Sequence, residues 1–407
     1  MGYLSRYLNK NKMSLRKIYS CVRLACFAAI ILYISGCATM IYRSIPLKDI
    51  AKIGGKYAVG TQYFYLVDST RSMWFSDDVT GHRELSVKVW YPADDRQLEK
   101  KASYVDNQDL ISEALSVRLG VPQALMERAG GIECNSWLDA APAKGEFPIV
   151  IYSHGHRSLK IANTFQAEEL ASNGFIVIAP DHTYDAAITV LKNERVIYSK
   201  SKLPNNNQRP SEQEMIERVE KQLKIRTEDV SFLIDKMLQQ FSSEKNFMGS
   251  ADTSKIGIFG HSFGGCTSVM SAYSDNRIDA VFGLDAYFLP LSKNIINKDL
   301  NKPFAHLGQP SWGKSNNYSV METLAKKNSK LSTHFAVEGS KHYDFTDFSQ
   351  FTRLTKKFGS GKISPKNIRK IMNTLLLDFF NSSLRGGNKF DPQTYEQMFS
   401  DLTHYIY

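Results

Sequence analysis

The segment GHSFG (residues 260–264) places a serine between two glycines, where an apolar stretch gives way to small residues. The letters IGIF before it predict a strand, and CTSVMSAY after it predicts a helix. A sharp strand-to-helix turn brings backbone against backbone, so its flanking positions need glycine, and it exposes the serine above the edge of the sheet. Ser262 is therefore the predicted nucleophile, and a glycine-rich turn without chemistry is the alternative.

A serine hydroxyl is a weak nucleophile unless a neighbouring base removes its proton. His342 follows the predicted strand FAVEG in the segment SKHYDF, a loop position from which an imidazole ring can reach over the sheet. His342 is the predicted base, which takes the proton of Ser262 and later returns it to the leaving alcohol. The other histidines after the serine are expected to pack within strands or to lie in a loose terminus: His306, His334 and His404.

The base needs a carboxylate that holds its imidazole in the productive tautomer, and this acid is expected at the end of a strand between nucleophile and base. Asp285 ends the apolar stretch AVFGLD, and the segment AYFLP then leaves the sheet. Asp285 is the predicted acid, and a surface or capping aspartate is the alternative. The remaining aspartates lie at the wrong end of that strand or after the histidine: Asp279, Asp344 and Asp347.

Two backbone N–H groups are needed to stabilise the oxyanion of the tetrahedral intermediate. Phe263, directly after the nucleophile, supplies one of them. The segment IVIYSHGHRS predicts a strand followed by a turn at Gly155, so the N–H of His156 is the best candidate for the second. His154 and His156 could also be metal ligands, but no further ligand lies nearby at a suitable spacing. No metal and no cofactor is predicted.

Short apolar stretches alternate with helical segments along the chain, which indicates an α/β fold with a mostly parallel sheet covered on both faces. The stretches FPIVIYS and FIVIAP are typical of strands buried on both sides. Residues 211–241 predict a long helix, and NIRKIMNTLLLDFF predicts a closing amphipathic one. No repeat, low-complexity tract or linker interrupts residues 55–407, so we expect a single domain there.

The N-terminus is typical of a targeting segment. Its first 36 residues hold six basic and no acidic side chains and include LACFAAIILYI, an apolar stretch of eleven residues. A bilayer-spanning helix takes about 20 residues, so this stretch suits the core of a signal peptide. The following letters ISGC are similar to a bacterial lipoprotein box. We expect residues 1–36 to be a lipoprotein signal peptide, Cys37 to be lipidated and residues 37–54 to be a tether; an ordinary signal peptide or an uncleaved anchor is the alternative.

The net charge of +10 first suggests a partner such as nucleic acid or a membrane surface. After residue 36, however, the chain carries 45 basic and 41 acidic residues, so a nucleic-acid partner is not expected. Several acyl chains on one cysteine would attach an exported protein durably to a membrane of the bacterial cell envelope. Cys134 and Cys266, the two cysteines that follow Cys37, are expected to be free thiols.

Together these residues resemble the plasma-type platelet-activating factor acetylhydrolases, also called lipoprotein-associated phospholipases, and their bacterial relatives. The similarity spans roughly residues 55–384, and its most specific parts are the phenylalanine after the serine and the segments LDAYFLP and HYDFTDF. The resemblance implies an α/β-hydrolase fold and a calcium-independent serine esterase that removes short or oxidised sn-2 acyl chains from phospholipids.

The same resemblance implies a triad of Ser262, Asp285 and His342, with oxyanion donors at Phe263 and His156. The animal enzymes carry an apolar residue at the position of His156. Because bacterial relatives include general carboxylesterases and polyester hydrolases, a broad-specificity carboxylesterase is the second hypothesis. A surface lipoprotein that binds lipid without catalysis is the third. The aromatic residues after the predicted acid are expected to form a wall of the substrate pocket, with plain core as the alternative: Tyr287 and Phe288.

Overall fold

A sheet of eleven strands organises the part of the chain that this computed structural model describes, which is residue 23 and the ranges 50–73, 81–96, 98–119, 123–201, 212–243, 250–310 and 316–406. Residues 48–407 form one compact unit. Cys37 lies outside the described residues, as does the predicted signal peptide apart from Arg23. None of the helices described is both long and apolar enough to cross a membrane.

The strands are β1 (Ala58–Ser72), β2 (His82–Ala93), β3 (Lys101–Ser103), β4 (Glu133–Leu138), β5 (Phe147–Ser153), β6 (Ile176–Asp181), β7 (Ile188–Val190), β8 (Val196–Tyr198), β9 (Ala251–His261), β10 (Ile278–Leu284), β11 (Phe304–Gly308), β12 (Ser332–Val337) and β13 (Leu402–Tyr405). The large sheet has the order β13-β12-β11-β10-β9-β5-β6-β2-β1-β4-β3, and β7 pairs with β8 in a separate hairpin. Its central strands, from β12 to β6, are parallel. Their carboxyl ends therefore share one edge of the sheet, which is where α/β proteins place their sites.

The helices are α1 (Gln108–Leu119), α2 (Gln123–Gly130), α3 (Thr164–Ser172), α4 (Glu212–Ser243), α5 (Phe263–Ser274), α6 (Lys293–Ile296), α7 (Asn316–Lys327), α8 (Phe348–Phe351), α9 (Pro365–Arg385) and α10 (Pro392–Met398), with 3-10 turns at Lys192–Glu194, His342–Phe345 and Arg353–Phe358. The predicted long and closing helices correspond to α4 and α9. Helix α9 begins at a serine cap, since the hydroxyl of Ser364 accepts a hydrogen bond from the N–H of Asn367 at 3.1 Å. It ends at Gly386, whose φ of 63° suits glycine.

Helices cover the sheet on both faces, and alternate residues of each strand point toward opposite faces. In β9, Ile256 and Ile258 pack with α4, α5 and α7 in one apolar cluster. Phe259 joins a second cluster, formed with α3, α9 and α10 on the other face. This two-sided burial explains why the strands appear in the sequence as continuous apolar stretches, and it agrees with the predicted architecture.

Two sequence expectations differ from the structure at the borders of the domain. The predicted tether, residues 37–54, does not remain separate along its whole length, because residues from Ile50 onward pack against the domain. The carbonyl of Ala51 accepts a hydrogen bond from Asn135 at 2.9 Å, and the N–H of Gly54 donates to Glu169 at 3.0 Å. His404, expected in a loose terminus, lies instead in β13, which pairs antiparallel with β12.

Arg83 on β2 and Asp229 on α4 form a buried ion pair that joins the sheet to the longest helix. Arg83 donates from Nε and Nη2 to both carboxylate oxygens at 2.9 and 2.6 Å, and from Nη1 to the carbonyl of Thr183 at 2.8 Å. Burial alone would raise the pKa of Asp229, but Arg83 and a hydrogen bond from His182 hold this pKa below its usual range. Removing either partner leaves a charge in a low-dielectric interior.

We predict that Arg83→Met lowers the free energy of unfolding by about 3 kcal/mol, because Asp229 loses its bidentate partner and keeps only Arg71 and His182. Urea unfolding followed by circular dichroism measures this loss. Arg195→Met is the matched control, since Arg195 pairs with Glu84 at the exposed surface and its loss should change stability by less than about 0.5 kcal/mol. Equal effects of the two substitutions would contradict the prediction.

Candidate active site

Ser262 lies in the turn between β9 and α5 with φ 55° and ψ −121°, a conformation that non-glycine residues rarely adopt. The turn is tight enough to require its glycines. A β-carbon on Gly264 would lie 1.9 Å from the carbonyl oxygen of Ser153, and one on Gly260 would lie 2.3 Å from the backbone of Gly264. The backbone is held from the other side, because the N–H of Ser262 donates to Leu284 at 3.0 Å. The strand-to-helix turn predicted from the sequence is present.

Asp285 and His342 form a short hydrogen bond, in which the ring Nδ1–H donates to Oδ2 at 2.5 Å. Asp285 is fully buried directly after β10, and His342 is partly exposed after β12. Gln309, directly after β11, donates to both carboxylate oxygens, from its N–H at 2.9 Å and from Nε2 at 2.7 Å. Asp285 therefore acts as the acceptor in each of these three hydrogen bonds, which suits a carboxylate that orients the imidazole.

The loop that carries His342 is held by the residue before the serine. His261 donates from Nε2 to the carbonyl of His342 at 3.0 Å, and the two rings lie 4.5 Å apart between centroids. Burial lowers the pKa of His261 well below its ordinary value, and the neighbouring His342 lowers it further, so the ring of His261 is neutral. Asp344 closes the same loop by accepting from the N–H of Lys341 at 2.9 Å.

The loop after β5 lies directly beside the serine. A β-carbon on Gly155 would be 3.4 Å from Cβ of Ser262. The carbonyl of Gly155 accepts from Nδ1 of His154 at 2.7 Å and from the N–H of Ser158 at 3.1 Å. In a trans peptide the N–H points opposite to the carbonyl, so the N–H of His156 points away from both donors. On the other side, Phe263 begins α5, and N–H groups in the first turn of a helix have no intrahelical acceptor.

A cavity of about 710 Å³ joins these groups. Its polar end includes Gly155, His156, Ser262 and His342. Apolar side chains from α1, α2, α8 and the segments beside them line much of the remainder: Val105, Leu115, Met126, Leu159, Ile161, Phe348 and Phe351. The ester carbonyl of a substrate could lie at the polar end while an acyl or alkyl group occupies the apolar part.

The prediction that Tyr287 and Phe288 form a wall of the substrate pocket is wrong, because neither residue lines this cavity. Phe288 is fully buried, and its ring packs against those of Phe304 and His306. Tyr287 is partly buried against the main core and donates its N–H to the carbonyl of Ser262 at 2.9 Å. The two aromatics stabilise the turn from behind, since the chain after Asp285 runs back into the core.

Several parts of the site are not predicted from the sequence. Gln309 was not identified, although its position at the carboxyl end of the strand beside β10 is a signal once the strand order is known. The sequence suggests no role for His261. Helices α1 and α2, which supply part of the cavity wall, were not predicted. Cys134 and Cys266 are buried free thiols, as expected from the sequence.

His154 does not have the free ring nitrogen that a metal ligand needs. Its Nδ1 donates to Gly155, and its Nε2 accepts from the N–H of His182 at 3.1 Å. Within the described ranges, no group of three or more His, Cys, Asp or Glu side chains could hold a metal ion. The ring of His156 also has a partner, since its Nε2 lies 2.9 Å from Oγ of Ser201, so hydrogen bonds within the protein explain both histidines after β5.

Comparison with known proteins agrees with this geometry. A family model described as platelet-activating factor acetylhydrolase, isoform II, matches residues 42–399. The platelet-activating factor acetylhydrolase of Cavia porcellus is 25% identical over 377 residues, covering 84% of this chain and 78% of the relative. That of Gallus gallus is 26% identical over 320 residues, covering 69% and 73%. A probable 1-alkyl-2-acetylglycerophosphocholine esterase of Arthroderma benhamiae is 26% identical over 49% of each chain.

Among solved structures, a ferulic acid esterase from Streptomyces cinnamoneus superimposes with a TM-score of 0.70 at 24% sequence identity. The match covers 88% of this chain and 99% of that esterase. The α/β-hydrolase fold and the family resemblance inferred from the sequence are confirmed. Because the family model spans most of its length, the chain belongs to the platelet-activating factor acetylhydrolase, isoform II, family and is a carboxylic ester hydrolase.

Proposed function

We propose that this chain is a serine esterase that hydrolyses short or oxidised sn-2 acyl esters of phospholipids through an acyl-enzyme on Ser262. The observation that carries the proposal is the hydrogen-bonded pair of the buried Asp285 and the partly exposed His342, because His342 lines the same cavity as Ser262. Relatives named platelet-activating factor acetylhydrolase support a phospholipid substrate. The apolar cavity wall supports an acyl chain as the bound group.

The reaction follows from the proton positions. His342 holds its Nδ1 proton toward Asp285, so Nε2 is the ring nitrogen that accepts the proton of Ser262 as Oγ attacks the ester carbonyl. The N–H groups of Phe263 and His156 stabilise the oxyanion. His342 then protonates the departing alcohol oxygen, leaving the acyl group on Ser262. Water, activated by the same imidazole, attacks this acyl-enzyme, and the carboxylic acid leaves as Ser262 regains its proton.

This mechanism assigns each proton transfer to protein side chains, so the proposed reaction does not depend on calcium. The buried carboxylate of Asp285 stabilises the charge that forms on His342 in this mechanism. Asp285 accepts hydrogen bonds on both oxygens, which stabilises the ionised form beside an imidazolium that forms during each proton transfer. A neutral residue in its place would leave this imidazolium without its counter-charge.

A cavity of about 710 Å³ is larger than an acetyl group requires, and this observation favours a second candidate function, a carboxylesterase of broader acyl specificity. The two candidates share the mechanism and differ in the substrate. A lipid substrate presented in a membrane and a small dissolved ester are therefore distinguished by rate comparisons on defined esters.

We also propose that the protein is exported and attached by lipid to a membrane of the bacterial cell envelope. The basic N-terminal segment, the eleven-residue apolar stretch and the letters ISGC before residue 38 support this proposal. Cys37→Ser should abolish incorporation of labelled palmitate and release the protein from the membrane fraction of a bacterial host. Cys134→Ser is the control and should leave both unchanged. Labelling that persists in the Cys37→Ser protein would contradict the anchor.

We predict that Ser262→Ala lowers kcat/KM by about 10⁴-fold or more, because the nucleophile is lost while the fold is retained. Ester hydrolysis and labelling by a fluorophosphonate probe measure the effect. Ser274→Ala, an exposed serine at the end of the same helix, should keep both activities. Turnover retained in the Ser262→Ala protein would overturn the mechanism, and so would probe labelling at another residue.

Hydrolysis of phosphatidylcholines that differ only in the sn-2 acyl group tests the substrate. We expect acetyl to hexanoyl and ω-carboxylated acyl groups to react about 100-fold faster than palmitoyl, in line with the acetyl specificity that the names of the relatives indicate. Addition of a calcium chelator should leave the rates unchanged. Equal rates across the series would contradict the phospholipid assignment. A preference for small dissolved esters over every phospholipid would favour the broader carboxylesterase.

A further inference from the structure

Arg226 on α4 is a fully buried cation that the proposed mechanism does not use. Its Nη2 donates to the carbonyl of His154, and it also donates to Oγ of Ser153 at 3.2 Å. Its guanidinium carbon lies 5.0 Å from the centre of the Phe263 ring. Arg226 therefore contacts the loop that carries one proposed oxyanion donor and the residue that supplies the other.

Asp185 is the acidic partner of Arg226 and holds the same loop at a second place. Its Oδ2 lies 3.5 Å from Nε of Arg226. Its backbone carbonyl accepts the N–H of Arg157 at 3.0 Å. Its Oδ1 accepts the hydroxyl of Ser201 at 3.1 Å. Asp185 thus connects three parts of the structure: its side chain contacts α4 and the segment after β8, and its backbone carbonyl binds the loop after β5.

The hydroxyl of Ser201 extends this network to His156. Because this hydroxyl donates its hydrogen to Asp185, it accepts one from Nε2 of His156 at 2.9 Å. Burial lowers the pKa of His156 to about 4, although the charge of Asp185 opposes the shift, so the ring is neutral at pH 7 with its proton on Nε2. The ring orientation of His156 is thereby set by Asp185 through one intervening hydroxyl.

Three residues of one four-residue loop are held by this network through different groups. His154 is held by its carbonyl, His156 by its ring and Arg157 by its N–H. Burying a cation behind a loop carbonyl is costly in free energy, and an apolar side chain of similar volume often stabilises a fold as well or better. Arg226 donates directional hydrogen bonds to His154 and Ser153, which restrict a backbone in a way that apolar packing does not, and Asp185 supplies the counter-charge without a hydrogen bond to Arg226.

We propose that Arg226 and Asp185 are positioning residues that hold the loop His154–Arg157 so that the N–H of His156 meets the oxyanion in the transition state. This inference rests on the proposed function, since it concerns the oxyanion site of that reaction. Loss of the network lets the loop relax while Ser262, His342 and the apolar cavity remain. The transition state should therefore lose more binding energy than the ground-state substrate.

The experiment compares two inhibitors and the kinetic constants in Arg226→Met, Asp185→Asn and Ser201→Ala. The first inhibitor is a phospholipid analogue in which a trifluoromethyl ketone replaces the sn-2 ester; it forms a hemiketal with Ser262 and needs the oxyanion site. The second is the corresponding sn-2 ether, which occupies the cavity without reacting. We expect Arg226→Met and Asp185→Asn to lower kcat by about 100-fold with KM changed less than about threefold. The ketone should bind more weakly by the factor lost in kcat/KM, with affinity for the ether analogue retained.

Arg277→Met is the control, because it removes another arginine from carboxylates, those of Asp275 and Asp235, that are not part of the network around the loop. It should leave the ratio of ketone to ether affinity unchanged. Arg226→Lys keeps the charge but not the planar fork, and it should recover only part of kcat. Ser201→Ala removes a single hydroxyl, so it can still test the inference if the Arg226 variants fail to fold. The affinity of the Ser201→Ala protein for the ketone should fall by about tenfold.

Parallel losses of ketone and ether affinity would overturn the inference, because they indicate general disorder of the cavity. Unchanged kcat in Arg226→Met or an unchanged ketone affinity in Ser201→Ala would also overturn it. These failures are separate from failure of the proposed function. That failure would appear in the wild-type protein as no inhibition by the ketone, and in Ser262→Ala as retained turnover.

Discussion

The structure depends on the close backbone contact at the turn that carries Ser262. Gly264 lies so near the carbonyl of Ser153 that no side chain fits, and this contact brings the carboxyl ends of β5 and β9 into register with the start of α5. Because β10, β11 and β12 continue the parallel order, the residues after these strands follow at the same edge. Sheet geometry, rather than a dedicated binding domain, brings together the loop after β5, Asp285, Gln309 and His342 at this edge.

Charge is buried on two sides of this turn, in two different ways. On one side Asp285 is satisfied by three hydrogen bonds from Gln309 and His342, so that the carboxylate can remain ionised beside the base. On the other side Arg226 and Asp185 lie behind the loop after β5. Each arrangement costs desolvation energy, and each includes a hydrogen bond to a residue that lines the cavity or to its immediate neighbour, His342 on one side and His154 on the other.

The cavity wall has a separate origin from the reacting groups. Helices α1 and α2 are inserted between β3 and β4, near one end of the sheet, and they contribute apolar side chains over the serine. The reacting end is built on the sheet, where backbone hydrogen bonds restrict motion. In this chain, therefore, a change in the inserted helices can alter the cavity wall without moving the residues that follow the strands.

The sequence by itself determined the fold class, the glycine-flanked turn at Ser262 and the positions of Asp285 and His342 after strands, because these depend on local patterns: strand periodicity, glycine spacing and the order of residues after strands. It also led to a wrong pocket wall, since Tyr287 and Phe288 are neighbours of the acid in the chain but turn back into the core. Only the tertiary structure showed Gln309 supporting the acid and Arg226 supporting the loop after β5. Arg226 and His154 are 72 residues apart, and their contact exists only because α4 packs on the sheet at one particular depth and rotation, which no local pattern specifies.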